Sequence, residues 1–444
     1  MADGVFAPGH LGELTQIVPF EMVDEVLAEC GTAQQRLRKL PARVGVYLLL
    51  AAALFEECGY PAVWSKLTGA LGSLPLPKIT ATGLWHSRCR LGVRPLRALF
   101  DLLRGPASAI RTAGTRWAGL LVVAIDGTYL DVADDPDVRA RLGKGSNQYT
   151  AASGYPQVLL VGLVACGTRA VIDAVFGPRK PGEPVLGRRL LRSLHAGMVV
   201  LLDRGFATNA FLQASADTGA DFLARISAAR KPPVLHRFDD GSFLSRIGTA
   251  EVRIIECEIT IATSAGRTTG VYRLATTLLD PRRYPAFELV RLYHERWEVE
   301  SAYFAVKQSM LGRRVLRART LPGIAQEIYA LLTVYQVIRI AIADAASTVP
   351  GADPDRASFS VALQTARDQV IQATGVIADT TIDLVGTIGR AVLDNLMPAR
   401  RLRLSPRAVK RPLSRYAYKS LRVDRRTYKA TISIDILLTE PISP

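Results

Sequence analysis

The chain has 444 residues, a formal net charge of +16 and 49% hydrophobic residues. That length suggests two to four structural units, and the hydrophobic share marks a folded chain and excludes a disordered one. The excess of Lys and Arg points to a polyanionic partner, nucleic acid before membrane surface, because these side chains release counterions condensed on phosphates. The five cysteines (Cys30, Cys58, Cys89, Cys166, Cys257) are an odd, scattered set with no C-x2-C pair. This argues against a disulfide framework or a zinc site and for a reducing compartment. The first residues lack a basic-then-apolar signal pattern, and the longest apolar run, 44–55, is too short to span a bilayer. No membrane partner is expected, and a cytoplasmic location is.

In chain order, residues 12–105 predict short helices at 21–29, 41–56 and 60–71, a break at Pro75 and Pro77, a helix capped by Thr80 or Thr82, and another at 94–103. The capped helix carries Arg88 and Arg90, so this region suits a helix-turn-helix-like module with those arginines on DNA. From Trp117 the character changes. Residues 118–125 are a short apolar, β-branched run that ends at Asp126, read as a buried strand followed by a polar loop. Strands at 156–166 and 169–176 form a hairpin, 183–194 a helix, 198–202 a fourth strand ending at Asp203, 207–216 a helix and 221–226 a fifth strand. The order β-β-β-α-β-α-β is that of a ribonuclease H-like core, in which the first and fourth strands lie side by side. Asp126 and Asp203 then converge at strand ends.

Residues 227–275 are expected not to continue that core. Strands at 242–247, 251–262 and 270–277 read as a β-rich insertion, with an apolar helix at 324–346 packing the core later. Helices at 359–374 and 383–396 follow, and from Arg400 about twelve of the next thirty residues are Lys or Arg, interleaved with Tyr416, Tyr418 and Tyr428. Cations with aromatics suit phosphates and exposed bases, and a solvated tail is the plainer alternative.

The most informative stretch is 284–310, read as one long helix with Pro285 in its first turn. Tyr293, Arg296, Glu300 and Lys307 fall at i, i+3, i+7 and i+14, within an arc of roughly 60°, and so form one polar stripe. Two cations and a phenol flanking a carboxylate suit a metal-bound phosphate. The pattern Tyr-x2-Arg-x3-Glu-x6-Lys resembles the signature of DDE transposases of the insertion element 4 family at every position. The DRGF beginning at Asp203 resembles the family's motif around its second aspartate, and 31–67 resembles the region preceding its catalytic core.

The resemblance implies a DNA transposase that binds the terminal inverted repeats of its element, cleaves by metal-dependent hydrolysis and joins the 3′-hydroxyl ends to target DNA. It implies two Mg²⁺ ions, with Mn²⁺ able to substitute, held by Asp126, Asp203 and Glu300. Tyr293, Arg296, Lys307 and Arg204 would contact DNA, and two copies of the chain would act together. The expected division is 1–110 helical and DNA-binding, 115–226 and 278–348 the ribonuclease H-like core, 227–277 the β-rich insertion, and 349–444 helical and then basic. One departure stands out: no Trp lies between Asp203 and Trp297, where some members place one to stack on a flipped base, leaving Phe238, Phe243 or Tyr272 for that task. A ribonuclease H-like nuclease without strand transfer, or a non-catalytic DNA-binding derivative, are the competing classes. An intact acid triad counts against the second.

Overall fold

The computed structural model describes residues 9–437 apart from 35, 37, 72–75, 146–153, 265, 374–384, 399–402 and 405–427. The N-terminal helices are α1 (Phe20–Glu29), α2 (Ala42–Leu54), α3 (Tyr60–Thr68), α4 (Ala81–Leu91) and α5 (Arg94–Leu103). α2 is apolar all round and buried from Val44 to Leu54, as a central helix must be. Thr80 caps α4 by accepting from the Gly83 N–H.

The strands follow: β1 (Arg116–Trp117), β2 (Leu120–Asp131), then helix α6 (Pro136–Leu142), β3 (Gln157–Ala165) and β4 (Val171–Pro178). Helix α7 (Glu183–Gly187) runs into a 3-10 stretch, Arg188–Ser193, and leads to β5 (Met198–Leu202), α8 (Asn209–Ala216) and β6 (Asp221–Ile226). Next come β7 (His236–Arg237), β8 (Phe243–Ile247), β9 (Ala250–Thr263) and β10 (Gly266–Thr276). Helices α9 (Ala286–Tyr293), α10 (Trp297–Phe304), α11 (Leu321–Ser347), α12 (Phe359–Ile371) and α13 (Gly386–Asp394) precede β11 (Arg403–Leu404) and β12 (Tyr428–Ile436).

Among the described residues all twelve strands belong to one mixed sheet whose main path runs β11-β12-β9-β10-β6-β5-β2-β3-β4. β2 pairs antiparallel with β3 and parallel with β5, and β5 pairs parallel with β6. Because side chains alternate faces along a strand, β2 feeds two layers. Val122 and Ala124 pack with Val299, Ala302 and the α11 residues, while Leu121, Val123 and Ile125 pack with Leu186 and Phe211 on the other face. β5 divides likewise, Val199 and Leu201 against Val200 and Leu202. By this alternation Asp126 and Asp203 both fall on the face that carries α10.

Three expectations need correction. The 227–277 segment does continue the core sheet: β10 pairs antiparallel with β6, Arg273 opposite Ile226 through Thr276 opposite Leu223. An unpaired β6 would leave an open edge beside the site, and β10 covers it. β2 does not stop at Asp126 either, since β3 supplies partners as far as Asp131 opposite Gln157. Finally, 284–310 is helical but not one regular helix: a 3-10 turn, His294–Arg296, separates α9 from α10, and a π turn, Ala305–Met310, ends it. No Gly or Pro marks these changes; they arise where tertiary contacts outweigh propensity.

β12 was not expected as a strand. It pairs with β9, Ile432 opposite Ile261 and Ile434 opposite Ile259. Apart from β11, the rest of the basic segment, with Tyr416 and Tyr418, lies outside the described residues. Among the described residues one helix, α11, is long and apolar enough to cross a membrane, and 78% of its most apolar window is buried in the fold. None of the five cysteines forms a disulfide.

Candidate active site

The register Ile125 opposite Leu202 puts Asp126 and Asp203 one step further along two adjacent parallel strands. Asp126 Oδ1 accepts from the Gly127 N–H at 2.8 Å, and Asp203 caps a 3-10 turn, Arg204–Phe206, by accepting from the Arg204 N–H at 2.7 Å. From the helix above, Arg296 reaches down. Its Nη1 lies 3.6 Å from Asp126 Oδ2 and its Nη2 3.9 Å from Glu300 Oε1. The sheet thus brings the two aspartates side by side, and one guanidinium joins Asp126 to Glu300.

The stripe's members are held more firmly than an exposed helix face would hold them. Arg296 is only 7% exposed, against the expected surface position, and its ring neighbours are Trp297 at 5.0 Å and Tyr293 at 6.0 Å. Tyr293 Oη donates to the Leu202 carbonyl at 3.2 Å, and Lys307 Nζ donates to Thr128 Oγ1 at 3.2 Å. Burial raises the Tyr293 phenol well above its ordinary range. Asp126 is pushed up to about 6, first by burial, with Glu183 and Glu300 adding to it and the Gly127 N–H and Arg296 opposing.

Two residues escaped the sequence reading. Tyr303 Oη donates to the Asp126 carbonyl at 2.6 Å and accepts from the Gly162 N–H at 2.8 Å, tying α10 to β2 and β3. Its signal was available, since it stands three places after Glu300 on the same helix face. Glu183, at the start of α7, lies against Gly127 and raises the charge density at both aspartates. Nothing in its local sequence marks it.

Other expected contacts separate. Arg204 and Arg90 are exposed. Arg88 is a correction: it is 9% exposed, its guanidinium stacks 3.9 Å from the Tyr60 ring, and its Nη2 lies 3.9 Å from Glu327. It joins α4 to α11 rather than standing on the surface, because Tyr60 and Glu327 offer a ring and a counter-charge inside the fold. Of the candidate stacking residues, Phe243 is 4% exposed in the core, and Tyr272 lies under the Arg225 guanidinium at 4.2 Å.

Among the described residues no three acidic, histidine or cysteine side chains close on a point near enough to grip an ion. The donors are nevertheless all hard carboxylate oxygens, gathered at one end of the sheet about a single bridging cation. That donor set fits a hard divalent metal such as Mg²⁺.

Comparison with known proteins agrees in kind. Residues 8–101 match the family described as insertion element 4 transposase N-terminal, and residues 117–337 match the transposase DDE domain. The chain is 25% identical over 403 residues to the transposase InsG for insertion sequence element IS4 of Escherichia coli (strain K12), covering 88% of this chain and 90% of that protein. It is also 25% identical over 190 residues to the putative transposase InsZ of the same organism, covering 43% of this chain and 62% of that one. A fainter structural likeness, TM-score 0.41 at 11% identity over 87% of this chain and 84% of the other, is to the piggyBac transposase in a cryo-EM synaptic complex with hairpin DNA.

Proposed function

The chain belongs to the insertion element 4 family of DDE transposases and is a DNA transposase; from that premise we propose that it cleaves DNA at the ends of its element and joins the freed 3′-hydroxyls to target DNA. The observation that carries this reading is that Asp126 and Asp203 each follow the paired residues Ile125 and Leu202 of β2 and β5, with Arg296 joining Asp126 to Glu300. The strand order β4-β3-β2-β5-β6 supports a ribonuclease H-like core, with 227–277 as its extension and 1–110 as the end-binding region.

DDE domains use divalent metals, and Asp126, Asp203 and Glu300 are the residues that would hold them here, Mg²⁺ or Mn²⁺ by their hard oxygens. Bound, the metal would activate the attacking oxygen and stabilise the leaving one. The chain's own residues do the rest. Tyr293 and Tyr303 fix the helix over the strand ends through the Leu202 and Asp126 carbonyls. Arg296 and Lys307 offer the positive charge that positions a phosphate beside Glu300, and exposed Arg204 and Arg90 extend that field toward DNA. Two copies, one at each end of the element, would work together in the bacterial cytoplasm, where the DNA is.

The test is strand cleavage and joining on DNA that carries the element's ends. Activity is expected with Mg²⁺ or Mn²⁺, and none with Ca²⁺ or in EDTA. Turnover in EDTA would end the metal-dependent reading. Cleavage without joining would make the chain a nuclease instead.

A further inference from the structure

β2 runs five residues past Asp126, and the chain that leaves Glu300 follows this extension. Three hydrogen bonds mark its course. Tyr303 donates to the Asp126 carbonyl at 2.6 Å, Lys307 Nζ to Thr128 Oγ1 at 3.2 Å, and the Leu316 N–H to the Asp131 carbonyl at 3.0 Å. A bridge between Val132 and Leu316 closes the far end. Residues two apart on a strand share a face, so Thr128 stands on the side that carries the Asp126 carboxylate.

A regular helix would set Lys307 nearly in line with Glu300, since seven residues turn through about 700°. The π turn Ala305–Met310 alters that. There the Leu311 N–H donates to the Val306 carbonyl, five residues back, at 3.0 Å, so each residue turns less and Lys307 leaves the line. Such turns are rare and gather at functional sites. Here the lysine that is displaced is the one whose ammonium lands on β2.

Lys307 and Thr128 are both half-buried. An ammonium drawn partly out of water needs oxygen acceptors, and it takes its direction from them. Thr128 offers an oxygen without charge, so it directs the lysine without opposing the positive charge that a phosphate requires. A carboxylate at the same place would cancel that charge. β-Branching also restricts χ1, which keeps the hydroxyl facing one way.

We propose that Thr128 is a positioning residue, which aims the Lys307 ammonium at the place beside Glu300 where a DNA phosphate lies. The inference rests on the transposase reading above and deepens it by naming what orients the lysine.

The experiment is single-turnover cleavage, with full-length protein and Mg²⁺, of saturating DNA that carries the element's ends. Gel-shift affinity and a thermal melt accompany each variant, and rates are taken per folded molecule. Thr128→Val, nearly the same shape without the acceptor, is expected to slow cleavage at least about fivefold with affinity unchanged. Thr128→Ser, which restores the acceptor, is expected to keep most of the rate. In Lys307→Ala, itself slow, adding Thr128→Val is expected to cost nothing further, because the two residues act as one. Valine at wild-type rate beside a slow Lys307→Ala overturns the role of Thr128 and leaves that of the lysine standing. An undiminished valine effect in Lys307→Ala means that the strand is disturbed and defeats the proposal, as does serine no faster than valine. Lys307→Ala at wild-type rate removes the lysine from the site and Thr128 with it. Wild-type protein that leaves such DNA uncut ends the cleavage reading and the proposal together.

Discussion

Two gatherings of acids and arginines among the described residues are finished differently. At the junction between the N-terminal helices and α11, Glu56 and Glu327 face Arg317 and Arg88. Arg317 lies 3.1 Å from Glu56 and donates to the Cys58 and Phe55 carbonyls at 2.9 and 3.1 Å, while Tyr60 donates to Glu327 at 2.7 Å. Burial pushes the Glu56 carboxyl up to about 8, and Arg317 opposes that rise. Beside the end of β5, Arg296 reaches Asp126 at 3.6 Å and Glu300 at 3.9 Å, with Asp203 on the neighbouring strand end. The first cluster is neutral by its own residues and holds two regions together. The second is joined more loosely, through one guanidinium at 3.6 and 3.9 Å, an arrangement that suits the reception of a cation.

The sharpest way to break this contrast is to neutralise the second cluster. Asp126→Asn, Asp203→Asn and Glu300→Gln are each expected to lower cleavage by about 10⁴-fold or more, over 5 kcal/mol of barrier, with DNA binding nearly unchanged in gel shift. Any one of them cleaving at wild-type rate removes that residue from the site. The same kind of change at the junction acts on folding instead. Arg317→Ala removes the arginine that pairs with buried Glu56 and donates to three carbonyls, at a cost of about 3–5 kcal/mol read by urea denaturation, and cleavage per folded molecule is retained.

Arg296 tests the middle ground. Arg296→Ala is expected to slow cleavage and joining about ten- to a hundredfold, roughly 1.5–3 kcal/mol, with Arg296→Lys a poor rescue because an ammonium lacks the guanidinium's fork. Its burial means the melt will shift too, so rates are compared per folded molecule; normal rates there would reduce it to a structural charge. The smallest effect is in pH. Asp126 binds a proton more readily folded than unfolded, so it favours the metal-free fold most below about pH 4 and that contribution is lost as pH rises through about 6. The expected loss is on the order of 1–2 kcal/mol between those limits, flattened in Asp126→Asn. An identical pH profile for the two proteins would show that Asp126 titrates alike in both states.

The pieces legible in the sequence were those written into one stretch. Met198–Leu202 is a continuous apolar run, and Arg94–Leu103 and Asp221–Ile226 occur where periodicity put them. The polar stripe was legible because its spacing is local to one helical stretch, even though turns of different pitch divide it. What stayed hidden depends on distant partners. Arg88 is buried by Tyr60 and Glu327, which its own helix does not contain. Glu183 matters through Gly127, a residue notable for what it lacks. The alternation in Thr431–Ile436 was a period-2 signal for β12, overshadowed by the basic composition just before it.

Tyr303 has a consequence that reaches beyond holding a helix still. Its hydroxyl spans two strands, Asp126 on β2 and Gly162 on β3, so the helix that bears Glu300 is keyed along its axis as well as packed sideways. A slide of one helical turn, about 5.4 Å, would break both bonds at once. The key is a neutral group whose ionisation burial drives far above the physiological range. Alignment of the third carboxylate is therefore indifferent to salt and acidity, even as the charges being aligned respond to both.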